Sequence, residues 1–300
     1  MRRQLSALAH AAASLPPAGE GLPGAARAAS ANLGLPLAGK RGAVFGFASP
    51  RSLACAIAEA WARAGCGGER LTVGIQSERF RPALDKASRA WPGGPPRVVV
   101  CDVGDDASLA AAWAEIGEGC GAGGLQLLAH SIAHASAPAM RGAVLETSRA
   151  DFAAAHDASA YSLISLARGA APLMARGGAG GSIVSLSFLG AQRCVPEYKV
   201  MGAAKASLEA VSRALAVELG PALGVRANVI SAGPVDTLAA RGIPRFRELK
   251  DATDARLPVA RGRGVAGADV GALAAFLASD AAAAITGQVL YVDGGYSALA

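Results

Sequence analysis

Aromatic residues are scarce in this 300-residue chain, at 5%, and no block of lysine and arginine is interleaved with the few that occur. A nucleic-acid surface needs clustered cations and stacking rings, so no nucleic-acid partner is expected. Charged residues are also few, 17% against 52% hydrophobic, which is a globular composition and not a disordered one. No uninterrupted apolar run reaches the ~18 residues of a membrane span, so no membrane partner is expected either. The five cysteines (Cys55, Cys66, Cys101, Cys120 and Cys194) are odd in number, and no two have the spacing of a metal or redox motif. They read as reduced, mostly buried thiols, with no metal site.

Acids are nearly missing from residues 1–35, which carry Arg2, Arg3 and Arg27 against Glu20 alone. With their serines, prolines and alanines these residues cannot build a core. They read as a transit-peptide-like leader addressed to an organelle, a plastid before a mitochondrion. Without such an address the chain would be cytoplasmic. Another part of the net charge of +6 lies in one late arginine-rich stretch, "RGIPRFRELK".

From residue 36 strands and helices alternate. Strand-like runs are "KRGAVFGF", "LTVGIQ", "RVVVCDV", "LQLLAHSIA", "GSIVSLSFLG", "VRANVISAGPV" and "QVLYVDGG". Between them lie helical patterns, among them "SPRSLACAIAEAWARAG", where Leu53, Ile57 and Trp61 share a face, and one long helix over roughly 149–175. Asp105 or Asp106 would cap the helix after the third strand. This order predicts a single doubly wound α/β domain over 36–300. Its core is a parallel, Rossmann-type sheet of about seven strands.

In such a sheet, ligands sit beyond the carboxyl ends of the strands. The first strand ends in "GFASPRSLA", which lacks the three glycines of the ordinary dinucleotide fingerprint. Gly46 still permits a close turn, and Ser52 and Leu53 open a helix whose free N–H groups suit a pyrophosphate. The plain alternative is a turn with Ser52 as a cap. Gln76 ends the second strand where an adenosine ribose would lie, and Glu78 and Arg79 pull the NAD-versus-NADP choice in opposite directions. Asp102 and Val103 end the third strand, where an adenine would pack. Ser131 and Ile132 lie on the path to a nicotinamide. His130 and His134 flank them and read as packing or surface residues.

The segment "SFLGAQRCVPEYKVMGAAK" holds Tyr198 and Lys205 seven positions apart, close to two helical turns, so they share a face with Met201 between them. A tyrosine hydroxyl there can donate to a developing oxyanion. A lysine beside it can hold a ribose.

Together "GFASPRSLA", "CDVGDDASL", "LAHSIA", "AHDASAYSL", "PEYKVMGAAKASLEA", "RANVISAGPVDTLAARGI" and "GQVLYVDGG" resemble the short-chain dehydrogenase/reductase superfamily. Within it, they resemble the NADH-dependent enoyl-acyl-carrier-protein reductases of type II fatty-acid synthesis. Ketone reductases of that superfamily place tyrosine four before the lysine and serine thirteen before the tyrosine. Those positions here hold Met201 and Phe188. The enoyl reductases place the tyrosine a turn earlier, which is Tyr198.

The resemblance implies reduction of a trans-2-enoyl thioester on acyl carrier protein, with Tyr198 at the thioester carbonyl and Lys205 on the nicotinamide ribose. It implies NADH ahead of NADPH. It carries over Gly46, Ser52, Leu53, Gln76, Asp102, Val103, Ile132, Val235 and Thr237 as cofactor contacts, and Ala135 as a substrate contact. It also implies a homotetramer paired through the late helix and last strand. Phe188 stands where many members have a second tyrosine, Asp236 where many have arginine, and Ala133 where many have glycine. Phe188 reads as a wall of the substrate site. Lys199 is expected to lower the Tyr198 pKa, and Arg241, Arg245, Arg247 and Lys250 to meet an acidic carrier protein. The alternatives are a carbonyl-reducing relative and a non-catalytic NAD-binding regulator.

Overall fold

The computed structural model describes residues 36–178, 180–260 and 263–299, so the expected leader at 1–35 lies outside the described residues. Seven parallel strands form one sheet in the order β3-β2-β1-β4-β5-β6-β7. They are β1 (Gly42–Phe47), β2 (Leu71–Ile75), β3 (Arg97–Val100), β4 (Leu127–His130), β5 (Gly181–Phe188), β6 (Val225–Ala232) and β7 (Val289–Val292). β2 is buried along its whole length, as expected of a strand covered on both faces.

The helices are α1 (Leu53–Arg63), α2 (Arg81–Ser88), α3 (Asp106–Cys120), α4 (Ala137–Met140), α5 (Arg149–His156), α6 (Ser162–Arg176), α7 (Lys199–Leu223), α8 (Phe246–Asp254) and α9 (Gly267–Ala278). Strand residues alternate between two cores. Val44, Phe47, Val184 and Leu186 pack beneath α1 and α9. Ala43, Phe45 and Ile183 pack with residues of α3, α6 and α7. This period of two is what a pleated sheet imposes. α1 and α9 meet at Gly271, where a Cβ would lie 2.6 Å from the Ala56 carbonyl oxygen. Trp61 fills that seam and donates its indole N–H to the Ala274 carbonyl at 3.3 Å.

Strand order reverses between β1 and β4, so the crevice of the fold opens at their carboxyl ends. Asp105 caps α3 by accepting from the Ala107 N–H at 2.9 Å, one of the two acids anticipated. The helix expected over 149–175 is not continuous. A π-helical turn, Asp157–Tyr161, separates α5 from α6. There Ser159 accepts from the His134 N–H at 3.0 Å and donates to the His134 carbonyl at 3.2 Å. The turn thereby clamps the chain leaving β4.

Candidate active site

β1 ends in a bulge, with the register against β2 shifting between Phe45 and Phe47. Gly46 lies at that point with φ +105°, and a Cβ there would stand 2.1 Å from the Ser131 carbonyl oxygen. Only glycine lets the two strand ends close to this distance. Ser52 is the N-cap of α1. Its hydroxyl donates to the Ser49 carbonyl at 2.7 Å and accepts from the Cys55 N–H at 3.2 Å. The capping role thus accounts for the Ser52 side chain, and its service to a ligand is to shape the turn. The first-turn N–H groups of Leu53 and Ala54 stay outside the helical ladder, as at any helix start.

Further along the crevice, Gln76 donates to the Asp102 carboxylate at 3.2 Å, joining the ends of β2 and β3. The other Asp102 oxygen accepts from the Gly104 N–H at 3.1 Å, fixing the turn that carries the half-buried Val103. Glu78 is held by Arg81, and the Arg79 guanidinium lies over the Phe80 ring at 4.5 Å. Neither side chain reaches across to Gln76. On the far side, Val235 and Thr237 form a tight turn, with the Thr237 N–H donating to the Val235 carbonyl at 2.8 Å.

Tyr198 occupies the N-cap position of α7, just before the helix proper, and its side chain is buried. Glu197 before it has φ +62°, a conformation that an L residue with a bulky side chain rarely adopts. The Tyr198 ring meets Phe188 edge-on with centroids 4.8 Å apart. Gly190 and Gly202 leave room on the other side: a Cβ on Gly190 would lie 2.3 Å from the Tyr198 ring. Burial raises the Tyr198 pKa well above the usual phenol value, so the hydroxyl is a donor at neutral pH. Around it Met140, Met201, Val200, Ala135 and Ile243 make a third apolar cluster, separate from the two sheet cores. Phe188 also lines a cavity of about 230 Å³ whose wall includes Arg193, Cys194, Pro234 and Tyr291.

Lys205 is only 4% exposed. Its ammonium donates to the Leu186 carbonyl at 2.9 Å and to the Ile132 carbonyl at 3.1 Å, which leaves one of its three N–H groups. Burial lowers its pKa to about 8, opposed by the negative charge of Glu209. The lysine thereby ties β5 to the end of β4, and that end, through Ser131, seats the β1 bulge at Gly46.

These observations fit a dinucleotide whose pyrophosphate meets the β1–α1 turn and whose nicotinamide ribose meets Lys205. The family model for enoyl-(acyl carrier protein) reductase matches residues 46–297. The chain belongs to that family. It is 40% identical over 262 residues to the NADH enoyl-[acyl-carrier-protein] reductase FabI of Escherichia coli, covering 87% of this chain and 95% of that protein. It is 42% identical over 263 residues to FabI of Neisseria meningitidis, with 87% and 96% covered. The crystal structure of the Bacillus cereus enoyl-acyl carrier protein reductase with NADP+ and an indole naphthyridinone superposes with a TM-score of 0.81 at 37% identity, over 88% of this chain and 99% of that one. The Aquifex aeolicus enzyme gives a TM-score of 0.80 at 39% identity, covering 88% and 98%.

Two features of this enoyl reductase differ from expectation. Lys199 does not act on Tyr198: its ammonium donates to the Arg141 carbonyl, and burial alone accounts for the raised phenol. The late basic stretch is also largely self-neutralised. Arg241 forms a two-pronged pair with Asp236 at 2.9 and 3.0 Å, Arg245 pairs with Glu248, and Lys250 pairs with Asp254. Of the four cations only Arg247 lacks an ion pair among the described residues. Asp236 also faces Arg51 of the β1–α1 turn at 3.9 Å, so an acid links this loop to the turn across the crevice.

His130 reads from the sequence as a packing residue and is one, whereas the Ser159 clamp and Glu209 escape a reading of the sequence alone. His130 is fully buried at the end of β4, and its Nε2 lies 2.7 Å from the Ser162 hydroxyl. That hydroxyl donates its own proton to the Ala158 carbonyl, so Nε2 carries the imidazole proton. Ser159 clamps His134, which is exposed. Glu209 is 4% exposed, one helical turn beyond Lys205. An acid four positions after an active-site lysine on the same helix face was the available signal for it.

Proposed function

We propose that this chain reduces the carbon–carbon double bond of a trans-2-enoyl thioester carried by acyl carrier protein, using NADH. One observation carries the reading. A buried, protonated tyrosine hydroxyl stands within an apolar cluster, seven positions before a buried lysine, and the positions where a carbonyl-reducing relative would hold its tyrosine and serine are here Met201 and Phe188. The relatives' names, which specify NADH, support the cofactor. At the end of β2, Glu78 is held by Arg81 while Arg79 lies over Phe80, so this end of the crevice does not by itself choose between NADH and NADPH.

Gly46, the α1 N-terminus, Val235 and Thr237 would hold the dinucleotide, with Asp102 and Val103 at the adenine and Ser131 and Ile132 at the nicotinamide. When bound, the cofactor supplies hydride to the β-carbon. Tyr198 then meets the negative charge that builds on the thioester oxygen. Its high pKa and buried ring keep the donor in place before the charge develops, which is worth roughly 3–4 kcal/mol in comparable oxyanion sites. Lys205, braced by two carbonyls, directs its third N–H to the ribose. Ala135, Met201 and Phe188 exclude water beside the acyl chain. Phe188 supplies a wall and no second hydroxyl.

The test is an absorbance assay of NADH with an enoyl thioester and a ketoacyl thioester. Oxidation is expected with the first and not the second. Tyr198→Phe should lower kcat by about 10²–10³-fold with little change in NADH binding. Oxidation with the ketoacyl substrate alone would replace this reading by carbonyl reduction. NADH binding without turnover of either would replace it by a regulator.

A homotetramer is the assembly proposed. β7 is an edge strand with Tyr291 37% exposed, and Phe276 of α9 is 40% exposed. Light scattering of the purified chain checks it. Residues 1–35 are proposed to direct the chain to a plastid, which a fusion of that segment to a fluorescent protein checks.

A further inference from the structure

Lys205 is nearly sealed from water, and a buried ammonium keeps its charge only if something compensates. Its two carbonyl partners are neutral. The titratable and charged groups near it or near Glu209 come from α7, β4 and β7 and from the segments that follow β5 and β7. Tyr198 caps the start of the same helix and is protonated. His130 of β4 is neutral, its pKa lowered to about 3 by burial and by the Lys205 charge. Glu209 follows one turn on along α7, and Tyr291 of β7 lies in the field of Glu209, with Asp293 and Arg193 near it. Among these, Glu209 is the group that opposes the loss of charge at Lys205.

The position of Glu209 is fixed by hydrogen bonds and not left to chance. One carboxylate oxygen accepts from the Ser187 hydroxyl at 2.6 Å, and the other from the Gln192 amide at 3.3 Å. Ser187 directly follows Leu186, whose carbonyl holds the Lys205 ammonium at 2.9 Å. Adjacent residues of β5 therefore grip the cation and the anion of α7, four positions apart on the helix. The pair does not touch as a salt bridge, so the carboxylate acts through its field while the ammonium stays directed into the crevice.

We infer that Glu209, held by Ser187 and Gln192, is a positioning residue that keeps Lys205 charged and aimed at the cofactor ribose. This rests on the assignment of Lys205 to that ribose. It adds a device by which the chain buries a cation at its working site without losing the proton at physiological pH.

The experiment is the pH dependence of kcat/KM for NADH, which reports free-enzyme groups, alongside direct NADH binding by fluorescence. The wild-type enzyme should lose kcat/KM as pH rises through about 8, the Lys205 value. Lys205→Met should abolish that alkaline limb; if the limb persists in Lys205→Met, it is the assignment of Lys205 that fails. Glu209→Gln keeps the shape and most hydrogen bonding but removes the charge. Lys205 then loses its proton at lower pH, so the limb should move down by about one pH unit. NADH binding should fall about fivefold at pH 8 and change by less than about twofold at pH 6. Glu209→Asp should return the limb most of the way. Ser187→Ala, a milder change, frees the carboxylate and should move the limb in the same direction by a smaller step. A limb that vanishes in Lys205→Met yet stays at its wild-type position in Glu209→Gln and Ser187→Ala would overturn the inference.

Discussion

Gly46→Ala is the most direct test of how the crevice is built. The added methyl would stand 2.1 Å from the Ser131 carbonyl oxygen, while ordinary contact begins near 3.4 Å, so one strand end must retreat by about 1.3 Å. The backbone is also at φ +105°, which costs an L residue about 1–2 kcal/mol. Overpacking against a rigid carbonyl adds about 1–3 kcal/mol. The expected destabilisation is thus about 2–5 kcal/mol, or a fall in Tm of about 5–15 °C for a domain of this size. Because Ser131 adjoins Ile132, whose carbonyl braces Lys205, the displacement passes to the ribose site. A misplacement near 1 Å can cost about 10²-fold in rate, so NADH affinity and kcat/KM should both collapse. Gly39→Ala is the control. Gly39 has φ +83° but nothing within 4 Å of a new Cβ, so it should show the backbone cost alone and full NADH binding. Thermal melts with fluorescence titration of NADH decide the matter. A Gly46→Ala enzyme that binds NADH like the wild type would refute the proposed seat of the cofactor.

Other expectations follow from single contacts. Glu197, at φ +62° just before Tyr198, should accept asparagine or glycine with a gain of about 1 kcal/mol, read as a rise in Tm of about 2–4 °C. Asp236→Asn removes a negative charge beside the β1–α1 turn and frees Arg241 and Arg51, so the KM for the anionic dinucleotide should fall about twofold and its salt dependence should steepen, measured by steady-state kinetics at low and moderate salt. His130 has a folded pKa of about 3 against an ordinary 6.5, so the unfolded chain takes up a proton first. Stability should therefore fall as pH drops from about 6.5 toward 3, by up to about 1.4 kcal/mol per pH unit from this group. Urea melts of His130→Gln across that range should show a shallower acid limb.

Much of this architecture can be read from the linear chain because period and order are local properties. The seven β runs and the order of their intervening helices are legible from apolar patterning, and the parallel sheet follows. The seven-residue spacing of Tyr198 and Lys205 is visible in the sequence, but the start of the helix is not: Tyr198 caps it from outside, and Lys205 lies within it. What escapes is decided by partners distant in sequence. Gly46 looks like an ordinary turn glycine until the Ser131 carbonyl is set against it. Ser159 lies in a π turn that interrupts an expected continuous helix, and there it clamps the backbone of His134. Arg241, Arg245 and Lys250 add up as a cationic face on paper, yet each is matched by an acid within five positions. Counting charges along the chain overstates the field when the opposite charges lie one turn away.

The π turn between α5 and α6 has a consequence for how this chain can vary. Each residue added to or removed from a helix rotates everything beyond it by about 100°. Ser159 reaches the β4 exit and Ser162 reaches His130 only with the extra residue that this turn contains. Loss of any one residue between Asp157 and Tyr161 would restore a smoother helix. It would also carry α6's buried stripe, Leu163, Leu166 and Ala170, out of register with the sheet. Substitutions in this segment can be absorbed singly, but changes of length cannot. Libraries of deletions should therefore show a sharp gap over these five positions.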